Sequence, residues 1–100
     1  MKKGSNLETW RTVQLFLSTT GVYEVQLRPG DTNAKCNCPS YRVRSKCKHT
    51  EFIQQRMLEN SGQYAILVPE DVPEDEAAKA NDSADAFRNF IIKYARVEVL

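Results

Sequence analysis

CNCPSYRVRSKCKH, running from Cys36 to His49, holds all three cysteines of this 100-residue chain and its only histidine. Scattered through a core, such residues need no explanation. Gathered in fourteen consecutive positions, they offer three thiolates and one imidazole. That is a complete tetrahedral shell for one Zn²⁺, with no coordination position left for water or substrate. The segment is therefore read as a structural zinc site with Cys36, Cys38, Cys47 and His49 as its ligands.

Competing chemistries fit less well. Three cysteines is an odd number, so a disulfide framework would leave at least one unpaired. The start, Met1-Lys2-Lys3 followed by Gly4, Ser5, Asn6 and Glu8, has no apolar stretch of the secretory kind. The expected location is cytoplasmic, or nuclear in a eukaryote, rather than secreted, and in a reducing compartment cysteines serve metals or catalysis. A redox C-x-x-C beside a βαβ pattern is missing. A Cys/His nucleophile and base stays open, as does a set of cysteines without a shared role. The former leaves two cysteines idle and no acid to orient His49.

Local geometry supports the metal. In an extended segment, residues two apart face the same side, so Cys36 and Cys38 can meet one ion before Pro39 turns the chain away. On a helix, residues two apart lie on nearly opposite faces. Cys47 and His49 should therefore straddle a helix start, with Cys47 in the preceding turn and His49 at or near the first turn. Downstream, Thr50 reads as an N-cap, Glu51 suits the positive helix end, and Phe52, Ile53, Met57 and Leu58 form a stripe. Asn60-Ser61-Gly62 ends that helix.

These residues resemble a known family. The pattern C-x-C, a variable gap, then C-x-H is similar to the SWIM zinc finger, and the stretch from about Val22 to Asn60 looks like the whole unit. The resemblance implies strands leading into C-x-C and a helix after C-x-H. It also implies a finger that binds DNA or protein, as in the chromatin-remodelling ATPases, transposases and recombination-associated proteins that carry it. A chain of this length has no room for their catalytic cores, so those activities do not transfer.

Outward from the site, Trp10 to Arg28 reads as a β-hairpin with one buried face. Val13, Leu15 and Leu17 share one side, Tyr23, Val25 and Leu27 another, and Ser18-Thr19-Thr20-Gly21 turns between them. Pro29-Gly30-Asp31 is a second turn, and Ala34 to Cys38 a short third strand that delivers the first ligand pair. Tyr64 to Val68 is consistent with a strand, and Pro69 to Asn81 with an acidic linker or weak helix. Ser83 caps a helix from Ala84 to about Arg96 whose stripe is Phe87, Phe90, Ile91 and Tyr94, and Val97 and Val99 alternate as a last strand. Met1 to Asn6 is a loose polar start. The expected fold class is α+β: a small zinc-stabilised domain in which a hairpin and third strand lead into the site and its helix. Residues 7–60 form the hairpin and finger, and residues 61–100 an acidic linker and C-terminal helical extension packing on them. In so short a chain a metal staple adds materially to a limited core.

Charge is divided unevenly. Residues 1–50 hold nine Lys/Arg against three Asp/Glu, and residues 51–100 hold five against ten, giving +6 and −5. No apolar run is long enough to span a membrane. Between the ligand pairs, Arg42, Arg44, Lys46 and Lys48 fall at every second position, so in an extended loop they line one side. Lys35 and Arg28 extend the patch, and Tyr41 offers a ring to stack on a base. The expected nucleic-acid contacts are thus Lys35, Tyr41, Arg42, Arg44, Lys46 and Lys48, with DNA or another nucleic acid as partner. Solvated cations that lower the thiolate pKa values would show the same pattern. The aromatic stripe of the last helix is read as core, or else as a ridge that docks a protein partner. The acidic stretch Glu70 to Glu76 is an ordinary solvated linker or a shield for the basic loop.

An enzyme is not expected. Four protein ligands close a zinc ion to hydrolytic chemistry, and the zinc-deaminase, phosphate-loop and H-E-x-x-H patterns are missing. Two function classes follow, neither needing a small-molecule substrate: a nucleic-acid-binding module, and a protein-interaction adaptor whose zinc only supports the fold.

Overall fold

The hairpin is the spine of the molecule. The computed structural model describes residues 10–28 and 33–100. In it β1 (Arg11–Ser18) and β2 (Gly21–Leu27) pair antiparallel, from Arg11 opposite Leu27 to Ser18 opposite Gly21. The expected turn at Pro29-Gly30-Asp31 and the polar start from Met1 to Asn6 lie outside the described residues. β3 (Ala34–Cys36) pairs antiparallel with β2, placing Cys36 opposite Val25. The sheet is closed on its other side by β4 (Glu98–Val99), which runs parallel to β1 with Phe16 beside Glu98 and Leu17 beside Val99. Strand order is β3-β2-β1-β4. The architecture is α+β, as the sequence predicts.

The hairpin differs from expectation in burying both faces. A register shift between Thr12 and Gln14 breaks the alternation, and Thr12, Val13, Gln14, Leu15 and Phe16 are all buried in succession. Five consecutive buried residues require cover on two sides. One face meets helix α2 (Lys48–Glu59): Phe16, Val25, Ala34 and Cys36 of the sheet cluster there with Ile53 and Met57. The other meets helix α4 (Ala84–Tyr94), whose Arg88 grips Glu24 of β2 with two bonds of 2.8 and 2.9 Å. That guanidinium holds the Glu24 carboxyl below its usual pKa, against the upward push of burial and with help from Thr12. Leu17, expected in the buried set, is exposed because it lies next to the turn that closes the hairpin, opposite Val22.

Between the ligand pairs the chain is helical, not extended. Helix α1 (Pro39–Arg44) begins with proline at its first turn, where a preset φ favours the helix and the missing N–H is not needed. Arg42 and Arg44 sit in the last turn, at the negative end of the dipole. Ser45 ends it with φ 55°, donating its N–H to the Tyr41 carbonyl at 2.8 Å. The third strand accordingly stops at Cys36 rather than reaching Cys38.

Helix α2 presents His49, Ile53 and Met57 at four-residue spacing, so one inward row carries a ligand and two core side chains. Leu58, expected on this stripe, is 80% exposed because it is rotated about 100° from Met57. Gly62 donates its N–H back to Met57 at 2.7 Å and Ser61 takes φ 57°, so Asn60-Ser61-Gly62 terminates the helix as expected.

Residues 64–68 form no strand. The place beside β1 is taken by β4, leaving this segment to be held by single bonds, including Arg96 N–H to the Leu67 carbonyl at 2.8 Å. Gln14 is the hub of that region. It is fully buried, donates to the carbonyls of Leu15 and Arg96, and accepts the Tyr64 hydroxyl at 2.7 Å. The acidic stretch condenses into helix α3 (Glu74–Lys79), with Glu74, Asp75 and Glu76 at its positive end, and a 3-10 turn over Ala80–Asp82. Ser83 caps α4 by accepting the Ala86 N–H at 3.0 Å, and the helix ends at Tyr94. Of its aromatic stripe only Ile91 is completely buried; Phe87, Phe90 and Tyr94 are half-buried, with Arg11 of β1 lying over the Phe87 ring.

Candidate metal centre

Each ligand is delivered by the end of an element. Cys36 closes β3, Cys38 precedes α1, Cys47 precedes α2, and His49 stands in the first turn of α2. Their donor atoms all lie within 4.8 Å of one another, and all four residues are buried. Thiolate and imidazole bonds of about 2.3 and 2.0 Å place sulfur–nitrogen neighbours of a tetrahedral ion roughly 3.5 Å apart. Cys36 Sγ and His49 Nδ1 are 3.7 Å apart. The four side chains therefore fit one tetrahedral metal ion.

Rings hold the imidazole in place. The Phe16 ring centre is 4.8 Å from that of His49, the Tyr23 centre is 5.8 Å away, and Phe52 meets Phe16 edge-on at 5.4 Å. Burial lowers the His49 pKa below its usual value and the Lys48 charge adds to this, so the imidazole stays neutral and able to coordinate. The Leu100 backbone pulls the other way without reaching hydrogen-bond geometry; among the described residues, His49 Nε2 is buried and unpaired.

The thiols are arranged unequally. Burial pushes Cys36 up to about 12, and the adjacent Cys38 and Cys47 sulfurs add to it against a backbone bond from Cys38. Three sulfurs this close cannot all ionise without a cation among them. Burial also pushes Cys47 up, but Thr50's backbone N–H and hydroxyl, then Cys38 and Cys36, outweigh it and bring it below the usual thiol value. Thr50 is not the N-cap expected from sequence. Cys47 is, and Thr50 sits three residues later in a reciprocal capping box: its N–H meets Cys47 Sγ at 3.4 Å, and its hydroxyl accepts the Cys47 N–H at 3.3 Å. The signal was the spacing Cys47-x-x-Thr50, with sulfur standing where serine usually stands.

The cations expected to form one ridge are divided by helix α1. On a helix, Arg42 and Arg44 are about 200° apart and cannot share a side. Tyr41 faces a cleft of about 510 Å³ shared with Lys35, Lys46, Arg28 and Trp10. Arg44 and Lys48 line a second cleft of about 460 Å³ beside the metal centre, together with Thr20, Tyr23 and Ser40. Arg42 lines neither. Trp10 was not anticipated as part of either group; its place directly before β1, beside Arg28 at the end of β2, was the available clue.

Among the described residues, no helix is long and apolar enough to cross a membrane. Compared with protein-family models, curated proteins and solved structures, the chain gives no match.

Proposed function

We propose that this chain is a SWIM-type zinc finger module that binds nucleic acid, DNA in the first instance, through cations arranged around one structural Zn²⁺. The observation that carries the reading is the set of three sulfurs and one imidazole nitrogen within 4.8 Å. This soft, closed donor set suits zinc and leaves it no open position, so the ion supports the fold and the module is not an enzyme. Around it, Lys35, Lys46, Arg44 and Lys48 line two clefts on either side of α1, with Tyr41 and Arg42 on the helix between. Cations so placed supply the salt-dependent, sequence-independent share of nucleic-acid affinity.

The test is a titration of zinc-loaded protein with duplex DNA at several ionic strengths. Replacing Arg44, Lys46 and Lys48 by glutamine should weaken binding and reduce the salt slope by roughly 0.9 for each phosphate that is no longer neutralised. An unchanged slope would remove these residues from the interface.

A specific feature favours a second reading, in which the zinc only braces a protein-interaction adaptor. Val22, Leu17 and Val99 are neighbours across β2, β1 and β4, and all three are exposed, at 57%, 45% and 77%. An apolar row of this kind is suited to a protein partner. Under that reading the glutamine variant binds its partner normally, whereas Leu17→Ser with Val22→Ser abolishes binding.

A further inference from the structure

We infer that the cleft between Trp10 and Tyr41 is a receptor for one unpaired nucleotide, so that the module prefers single-stranded nucleic acid to duplex. The inference rests on the nucleic-acid reading and makes it more specific. The cleft, about 510 Å³, lies at the outer edge of the sheet, where among the described residues β3 has no further strand neighbour. Its size falls within the range of small-ligand sites, roughly 300–1,000 Å³. It has two aromatic walls, Trp10 and Tyr41, and three cations, Arg28, Lys35 and Lys46, against one carboxylate, Glu51.

That composition matches a base flanked by phosphates. Lys35 Nζ lies 4.3 Å from the Trp10 ring centre and Arg28 Cζ lies 4.9 Å from it, so the ring already sits among cations. An exposed cation–π pair is worth about 2- to 5-fold in affinity. A base stacked on an aromatic ring is worth roughly 5- to 150-fold. Stacking therefore prevails: a base takes the ring face, and the displaced ammonium meets the incoming phosphate, which it binds as a compact point charge. A paired base cannot do this, because its faces are covered by its neighbours in the duplex. An acidic peptide would satisfy the cations but leave both rings without a planar partner.

Trp10 is the only tryptophan of the chain, so its fluorescence reports on this cleft alone. The experiment titrates the zinc-loaded chain into an oligothymidylate eight nucleotides long, a stable DNA duplex and a polyglutamate peptide. Each carries a fluorescein label whose anisotropy gives the affinity of every variant, with Trp10 quenching read in parallel for wild type. Wild type is expected to bind oligothymidylate more tightly than duplex, with quenching of Trp10. Trp10→Leu should weaken the oligothymidylate roughly 5- to 150-fold and leave duplex affinity nearly unchanged, while Trp10→Phe restores part of the loss. Zinc stoichiometry checks that each variant is folded, and Lys35→Gln, an exposed position, gives an independent reduction. Equal binding of both DNA forms without quenching overturns the receptor and leaves the nucleic-acid reading standing. Binding of neither DNA at low salt overturns both. Quenching by polyglutamate at matching affinity assigns the cleft to acidic peptides and overturns the inference.

Discussion

Thr50 serves Cys47 through both its backbone and its side chain: its N–H is directed at the sulfur at 3.4 Å, and its hydroxyl takes the Cys47 backbone N–H at 3.3 Å and donates to the Cys47 carbonyl at 3.0 Å. One threonine thus starts helix α2 and steadies a metal-binding sulfur. Thr50→Val keeps the shape and the backbone N–H and removes the hydroxyl. Metal affinity should fall by about 10- to 100-fold, and the helix start should lose about 1 kcal/mol. Competition with a chromophoric chelator measures the first, and urea unfolding the second. An unchanged chelator midpoint would confine Thr50 to capping.

Acid should empty the metal centre. The His49 pKa lies below its ordinary 6.5, so as pH falls below that value the unfolded chain takes up a proton that the folded chain refuses. Stability present above the unfolded pKa is lost as pH falls through the folded one. Proton competition for the thiolates acts in the same direction. In cobalt-substituted protein the thiolate charge-transfer absorption should fade on acidification and return on neutralisation. A signal that persists well below the imidazole range would refute a histidine ligand.

Base should loosen the packing of Tyr64 against the sheet face that carries α2. Burial pushes the Tyr64 hydroxyl up to about 12, with Glu98 adding and Arg56 opposing. Between the usual value of 10 and this one, the folded chain keeps a proton that the unfolded chain releases. Stability is therefore intact below pH 10 and falls as pH rises through the folded value. Tyr64→Phe should flatten that decline, and parallel curves for the two proteins would place its origin elsewhere.

Gln14→Leu should be costly for its size. It leaves the Tyr64 hydroxyl without its acceptor and the Leu15 and Arg96 carbonyls without their side-chain donor. The expected loss is about 1–3 kcal/mol, read from urea denaturation. A neutral result would mean that water replaces the glutamine.

Ser61→Gly should stabilise the protein. Ser61 holds φ 57° at the end of α2, a conformation that burdens any residue with a Cβ. Relief of that strain, less the greater chain entropy of glycine, amounts to about 0.5–1 kcal/mol. Gly62→Ala, at φ 86° with open space around it, should act in the opposite sense through backbone strain alone. A lower thermal midpoint for Ser61→Gly would contradict this.

The metal centre was legible because its residue types are rare and their spacing is local. Cys36, Cys38, Cys47 and His49 stand within fourteen positions, and their donors come together within 4.8 Å. The hairpin, α2 and α4 were legible from apolar periodicity, with Asn60-Ser61-Gly62 marking the end of α2 and Ser83 the start of α4, whereas the N-cap of α2 is Cys47 and not the expected Thr50. Helix α1 was not, because every-second-residue cations imitate a strand, and Pro39 reads equally as a turn or a first helical residue. Nor was the two-sided burial of β1, which depends on α4 returning from more than sixty positions away. Residues 64–68 have the composition of a strand but no vacant edge to join, and sequence carries no information about vacancy.

Fourteen neighbouring residues enclose the centre, whereas Gln14 and Arg96 meet across 82 positions. Closing the longer span costs roughly 1.5 kcal/mol more in chain entropy, and pairing at that range is slow. The order of assembly follows from this difference. A bound ion would organise its own surroundings once residues 36–49 are free to fold, and the fourth strand would then close onto a half that is already shaped.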